Sequence, residues 1–175
     1  MPLDTGLIQV YTGEGKGKTT AALGLALRAA GQGLCVHIVQ FMKGRPDHGE
    51  LAALQHQPRI SLQQFGRASL VDRQHPEPED VRLAQEAWRH SFDVLRGGAY
   101  DVIILDELNV ALDYGLLSLP QVLELLDAKP EQVELILTGR NAHPAVVQRA
   151  DLVTEMLAIK HPFSEGLEAR KGIDY

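Results

Sequence analysis

The nine residues from 12 to 20 read TGEGKGKTT, and they stand between an apolar run and a helical pattern. Glycines in such a segment allow a tight turn whose N–H groups point inward, and the following helix N-terminus adds partial positive charge. Phosphate-binding loops share this chemistry, although their general pattern has Gly where this chain has Thr12. The sequence therefore predicts a strand, a phosphate-binding loop and a helix. The alternative is a glycine-rich turn that only caps the helix.

Each loop position has an expected role. Lys18 is expected to contact a terminal phosphate, and the Thr19 hydroxyl to bind magnesium. Lys16 adds a second cation, which favours a highly charged anion such as a complete triphosphate. Glu14 is expected to face solvent, the alternative being that it orients a hydroxyl or a cation. The nucleotide-binding prediction covers Gly13, Glu14, Gly15, Lys16, Gly17, Lys18, Thr19 and Thr20.

Two later segments place charged residues directly after apolar runs. Asp106 and Glu107 end the run 102–105 as in a Walker B strand, where a carboxylate reaches the nucleotide crevice and holds magnesium directly or through water. Arg140 follows the run 133–137 and Thr138-Gly139, so it is placed to neutralise phosphate charge. The alternatives are a helix cap for the carboxylates and an ordinary surface position for the arginine.

Apolar runs rich in β-formers recur along the chain and alternate with amphipathic segments. This alternation predicts an α/β fold with a mainly parallel sheet covered by helices on both faces. We expect one domain spanning residues 1–175. A weaker strand is expected at 60–65, a mobile surface loop at 66–80 and an irregular tail at 160–175. The expected strands are 7–11, 34–41, 101–105, 133–137 and 151–157, and the expected helices 19–30, 79–95 and 118–126.

Composition excludes several classes of protein. With 17 Lys and Arg against 23 Asp and Glu, the net charge of −6 disfavours nucleic-acid and anionic-lipid partners. Cys35 is the only cysteine, which excludes a disulfide scaffold. No apolar run is long enough for a membrane helix, and the N-terminus lacks a signal-peptide pattern, so a cytoplasmic location is expected. The seven histidines lack metal-ligand spacing, so zinc is not expected, and His37 is expected in the sheet.

Seven blocks of the chain resemble the P-loop type of ATP:corrinoid adenosyltransferase. The two C-terminal blocks are the most specific, since generic ATPases lack them. The resemblance implies a RecA-like fold and transfer of the 5′-deoxyadenosyl group of ATP to the Co(I) of a reduced corrinoid, releasing triphosphate, in adenosylcobalamin biosynthesis or salvage. The blocks are residues 12–22, 39–44, 105–109, 138–140, 150–156, 159–163 and 171–175.

The same resemblance implies roles and partners. Lys16, Lys18 and Arg140 would stabilise the leaving triphosphate, and residues 13–20 would bind ATP in the reverse of the usual sense. Thr19 with Glu107 would hold Mg²⁺ or Mn²⁺, with Asp106 a weaker ligand. Lys43 would lie beside the substrate. A reduced flavoprotein electron donor and a homodimer are expected.

One segment departs from the family pattern. Members commonly carry a Phe and a Trp two residues apart after the third strand, where they pack against the lower face of the corrinoid. Residues 65–71 read FGRASLV and contain no Trp. Phe65 and Leu70 are the candidate substitutes.

Two other functions fit the phosphate-binding loop. A P-loop ATPase or kinase would act at the γ-phosphate, with water or a hydroxyl as the attacking group. A RecA-like nucleic-acid-binding module is disfavoured by the acidic balance and by the absence of basic stripes with interleaved aromatic residues.

Overall fold

A computed structural model describes residues 3–174; Met1, Pro2 and Tyr175 lie outside this range. The strands are β1 (Ile8–Thr12), β2 (Val36–Phe41), β3 (Ile60–Phe65), β4 (Val102–Asp106), β5 (Glu134–Thr138) and β6 (Leu152–Glu155). The helices are α1 (Lys18–Gly31), α2 (Gly49–Leu54), α3 (Pro78–Arg96), α4 (Leu108–Asp113), α5 (Leu119–Asp127), α6 (Pro144–Arg149) and a short 3-10 helix, Pro162–Glu165.

The six strands form one parallel sheet in the order β3-β2-β4-β5-β1-β6. Side chains along each inner strand alternate between two apolar cores, as the two-residue period of a strand requires. Val36 and Ile38 pack on the face that carries α1, whereas Val39 and Phe41 pack on the face that carries α3. The predicted α/β fold is confirmed.

Several predicted boundaries were wrong. The strand expected at 151–157 spans only Leu152–Glu155, and it lies exposed at the edge of the sheet. Three helices, α2, α4 and α6, were missed because each has six residues, too few to show helical periodicity. The expected loop 66–80 ends early, since α3 begins at Pro78.

The segment between β3 and α3 is tied to the helix by one ion pair. Arg67 donates two hydrogen bonds of 2.7 Å to the buried carboxylate of Asp80. Asp80 also accepts from the Glu77 backbone in a capping box, so one side chain both starts the helix and holds the preceding segment.

The carboxyl ends of β1, β4 and β5 meet at one edge of the sheet. Residues 13–20 follow β1, Asp106 ends β4 and Glu107 follows it, and Arg140 lies two residues after the end of β5. Ligands of open parallel sheets bind outside this edge. None of the helices in residues 3–174 has the length and apolar character needed to cross a bilayer.

Candidate active site

The loop between β1 and α1 is compact and closes around its own lysine. The Lys18 ammonium donates hydrogen bonds of 2.7 Å to the carbonyls of Gly13 and Gly15. Gly13 has φ +94°, and a Cβ there would lie 2.5 Å from the Met156 carbonyl oxygen, so both conformation and space require glycine. Burial lowers the pKa of Lys18, and the nearby Arg140 charge lowers it further.

Thr12, the departure from the general loop pattern, has a structural role. Its hydroxyl accepts a hydrogen bond of 3.2 Å from the Ala142 backbone N–H. This bond joins the end of β1 to the segment that follows β5, and that segment also carries Arg140.

Asp106 is the centre of the polar network at this edge of the sheet. Its Oδ1 accepts hydrogen bonds from the hydroxyls of Thr19 at 2.9 Å and Thr138 at 2.7 Å. Its Oδ2 accepts from the Lys43 ammonium at 2.7 Å and the Gln40 amide at 3.1 Å. Burial alone would raise the pKa of Asp106, but the Lys43 charge and these hydrogen bonds together hold it below its usual range.

Glu107 occupies the turn from β4 into α4 with a left-handed backbone, φ 64° and ψ 16°. Its N–H donates to the Thr138 hydroxyl at 3.0 Å, which fixes the turn. Burial raises the pKa of the Glu107 carboxyl, and the adjacent Asp106 charge raises it further. Non-glycine residues in this conformation are uncommon and concentrate at functional sites.

The donor set fits Mg²⁺ or Mn²⁺. Thr19 and Asp106 place a hydroxyl and a carboxylate oxygen 2.9 Å apart, and Glu107 adds a second carboxylate whose ionisation a cation would favour. Mg²⁺ is usually bound by one or two carboxylates and completes its shell with water and phosphate oxygens.

The remaining predicted residues lie at the exposed rim. Glu14 is exposed, and its carboxylate lies 3.4 Å from the Arg140 guanidinium. The Lys16 ammonium donates to the Ile173 carbonyl at 2.8 Å. Thr20 is exposed on the first turn of α1.

A cavity of about 800 Å³ connects these groups. The phosphate loop and Glu107 form one wall. Leu70, Val110 and Tyr114 add apolar surface. Phe65 does not line this cavity; its ring packs 5.3 Å from the ring of His90, so of the two candidate substitutes only Leu70, with 97% of its surface exposed, reaches the cavity.

Sequence reasoning missed two parts of the site. Gln40 was not singled out and Lys43 had no defined role, although a Gln and a Lys at the end of an apolar strand are signals of the type that identified Asp106. Apart from the 3-10 helix Pro162–Glu165, the C-terminal tail is irregular in the described residues, as expected, but its contact with the site was missed: residues 167–170 and Asp174 line the cavity. Nothing in the local sequence pattern of the tail indicates this contact.

Comparison with known proteins supports the resemblance that the sequence motifs indicate. The model of the family "ATP:corrinoid adenosyltransferase BtuR/CobO/CobP" matches residues 4–175. The corrinoid adenosyltransferase of Escherichia coli is 39% identical to this chain, and the match covers 98% of this chain and 87% of the relative. That of Pseudomonas aeruginosa is 36% identical over 98% of this chain and 85% of its own length. The relative from Salmonella typhimurium, corrinoid adenosyltransferase CobA, is 38% identical over 98% of this chain and 87% of its own length.

A solved structure shares the fold at much lower identity. The KaiC-like protein of Pyrococcus horikoshii superposes with a TM-score of 0.59 at 18% identity, over 87% of this chain and 74% of its own. The family model and the curated relatives span nearly the whole chain. The chain therefore belongs to the ATP:corrinoid adenosyltransferase family.

Proposed function

We propose that residues 13–20 bind the triphosphate of ATP and that the adjoining cavity receives the reduced corrinoid, whose Co(I) takes the 5′-deoxyadenosyl group. The observation that carries this proposal is the cavity of about 800 Å³, which joins a phosphate loop to the apolar side chains of Leu70, Val110 and Tyr114 in a chain of this family. The apolar side chains suit the face of a large macrocycle. The product belongs to adenosylcobalamin biosynthesis or salvage.

The transfer is a displacement at the ribose C5′ carbon. The cobalt(I) electron pair forms the cobalt–carbon bond, the C5′–O bond breaks, and its electron pair leaves with the triphosphate, so that cobalt becomes formally Co(III). Lys18, Lys16 and Arg140 stabilise the charge that develops on the leaving group, together with the loop N–H groups. The loop and cavity hold C5′ in line with the metal of the substrate.

A divalent cation, Mg²⁺ or Mn²⁺, belongs to the proposal. Thr19, Glu107 and Asp106 would hold it, and the hydrogen bond between Thr19 and Asp106 supports this assignment. When bound, the cation supplies positive charge to the triphosphate oxygens. Lys43 and Gln40 hold Asp106 through its other carboxylate oxygen, and the Lys43 charge favours the ionised carboxylate.

The wider context is also proposed. A reduced flavoprotein supplies the electrons that form Co(I), and two copies of the chain form a homodimer in the cytoplasm. Residues 1–175 act as one domain, which the shared sheet under both apolar cores supports. Sedimentation velocity tests the dimer, and a single cooperative unfolding transition tests the one-domain assignment.

One assay tests the reaction. The protein is incubated with ATP, Mg²⁺ and chemically reduced cobalamin, and the expected products are inorganic triphosphate and a light-sensitive cobalt–carbon compound in equal amounts. Reactions without corrinoid or without reductant are the controls. Accumulation of ADP without corrinoid would contradict the proposal and favour attack at the γ-phosphate.

A further inference from the structure

The last described turn of the chain lies against the phosphate loop. The Lys16 ammonium donates a hydrogen bond of 2.8 Å to the Ile173 carbonyl and lies 3.6 Å from the Asp174 carboxylate. Residues 167–170 and Asp174 line the same cavity as the loop. A carboxylate of the tail thus stands beside one of the two loop lysines.

The position of this carboxylate is set by its own turn. Asp174 Oδ2 accepts hydrogen bonds from the Arg170 backbone N–H at 2.9 Å and from the Arg170 guanidinium at 3.1 Å. The Asp174 N–H donates back to the Arg170 carbonyl at 2.8 Å. These bonds leave Oδ1 as the oxygen that faces Lys16, and the Asp174 side chain is only 21% exposed.

We propose that Asp174 is a built-in counter-ion that competes with polyphosphate for Lys16, so that it weakens the binding of the triphosphate leaving group and favours its release. This inference rests on the proposed function, because it assumes that loop 13–20 binds phosphate. Asp174 acts through Lys16, and it is therefore a positioning residue.

Charge decides the direction of the effect. A polyphosphate at the loop must take the Lys16 charge from Asp174 and also approach a negative carboxylate. Half-exposed ion pairs are individually weak, but the repulsion acts on several phosphate charges at once, so removal of the carboxylate should tighten tripolyphosphate binding about three- to tenfold. Because the groups are near solvent, added salt should reduce the difference.

The experiment measures the Kd of inorganic tripolyphosphate by titration calorimetry for the full chain and for Asp174→Asn. Asparagine keeps a side-chain oxygen that can accept the Arg170 bonds, so the turn is preserved while the charge is lost. The expected result is tighter binding of about three- to tenfold at about 50 mM salt, and less than about twofold at about 500 mM. In the Lys16→Met background, Asp174→Asn should give a clearly smaller gain, because the contact with Lys16 is already absent and only the direct repulsion between Asp174 and the phosphates remains.

Glu165→Gln is the matched control, since Glu165 lies on the same tail, is 65% exposed, pairs with Lys160 and does not line the cavity. It should leave the Kd nearly unchanged. Unchanged or weaker binding by Asp174→Asn, an equal gain in the Lys16→Met background, or an equal gain from Glu165→Gln would overturn the inference while leaving the phosphate site intact. Failure of the unsubstituted chain to bind tripolyphosphate or ATP at all would instead overturn the proposed function.

Discussion

The Thr19 hydroxyl donates a hydrogen bond of 2.9 Å to Asp106, which joins the first turn of α1 to the end of β4 across 87 positions of sequence. The bond fixes the spacing between the phosphate loop and the central strand. It also places two oxygen ligands side by side, as a loop-bound divalent cation needs.

Loss of the hydroxyl should weaken cation-dependent nucleotide binding. We expect Thr19→Val to reduce the affinity for ATP with Mg²⁺ by about 10- to 100-fold, as for other groups that bind or orient a metal, and to leave binding in EDTA much less affected. Calorimetric titrations of ATP with Mg²⁺ and in EDTA measure the two affinities. Thr154→Val, the same change on exposed β6, is the control. Equal losses with and without Mg²⁺ would contradict the metal assignment.

The two loop lysines should differ in importance. Lys18→Ala should reduce the rate of triphosphate release by about 10²-fold or more, because it removes a charge beside the leaving group. Lys16→Ala should have a smaller effect, since its side chain is 45% exposed and pairs with the tail. Circular dichroism checks that both variants fold. Near-normal turnover in folded Lys18→Ala would contradict its role.

The ion pair between Lys43 and Asp106 should support the fold as well as the site. Lys43→Met leaves the buried Asp106 charge without its ammonium partner, and we expect the free energy of unfolding to fall by about 2–4 kcal/mol. Urea denaturation measures this loss. Arg82→Met on α3 removes exposed pairs with Glu79 and Glu86, and it should lower the free energy of unfolding by less. If the free energy of unfolding falls equally in both variants, the burial of Asp106 is not the source of the loss.

A second polar cluster predicts pH-dependent stability. His37 Nδ1 lies 2.7 Å from the Ser61 hydroxyl and Nε2 lies 2.8 Å from Nε2 of His90, while the ring packs on Tyr100. Burial, with a smaller contribution from the His90 charge, lowers the pKa of His37 to about 4.

The unfolded chain therefore binds a proton at His37 between about pH 6.5 and about pH 4 while the folded chain does not. The free energy of unfolding should fall by about 1–3 kcal/mol as pH drops through this window. Urea melts at several pH values test this. His37→Gln should flatten the dependence and His75→Gln, with a side chain 84% exposed, should not. An unchanged slope in His37→Gln would show that other groups cause it.

Leu70 should affect the KM for the corrinoid but not the KM for ATP. We expect Leu70→Ala to raise the corrinoid KM about two- to tenfold, because it removes apolar surface from the cavity wall. The KM for ATP and the thermal unfolding midpoint should stay constant, since the side chain is 97% exposed. Leu27→Ala, on the surface of α1, is the control. An unchanged corrinoid KM would remove Leu70 from the proposed cavity wall.

The sequence predicts the central part of the site because the relevant signals are local. Glycine spacing identifies the loop 13–20, and Asp106 and Arg140 each follow an apolar run that proved to be a parallel strand. Since the carboxyl ends of parallel strands lie at one edge of the sheet, the sequence alone predicts that these residues lie together.

The contacts that were missed depend on pairing between distant segments. Lys43 and Asp106 are 63 positions apart, and Lys16 contacts Ile173 across 157 positions. Neither contact follows from composition or periodicity. Phe65 was offered as a corrinoid contact, but its ring packs on α3, because strand alternation turns its side chain to the core that contains Phe41.

The left-handed backbone of Glu107 is one place where this chain gives up stability. A glycine would adopt φ 64° without steric strain, whereas a carboxylate side chain there costs on the order of 1–3 kcal/mol. A search for more heat-resistant variants would therefore select Glu107→Gly. This substitution would raise the melting temperature but remove a carboxylate from the site, so selection for thermal stability and selection for activity act in opposite directions at position 107.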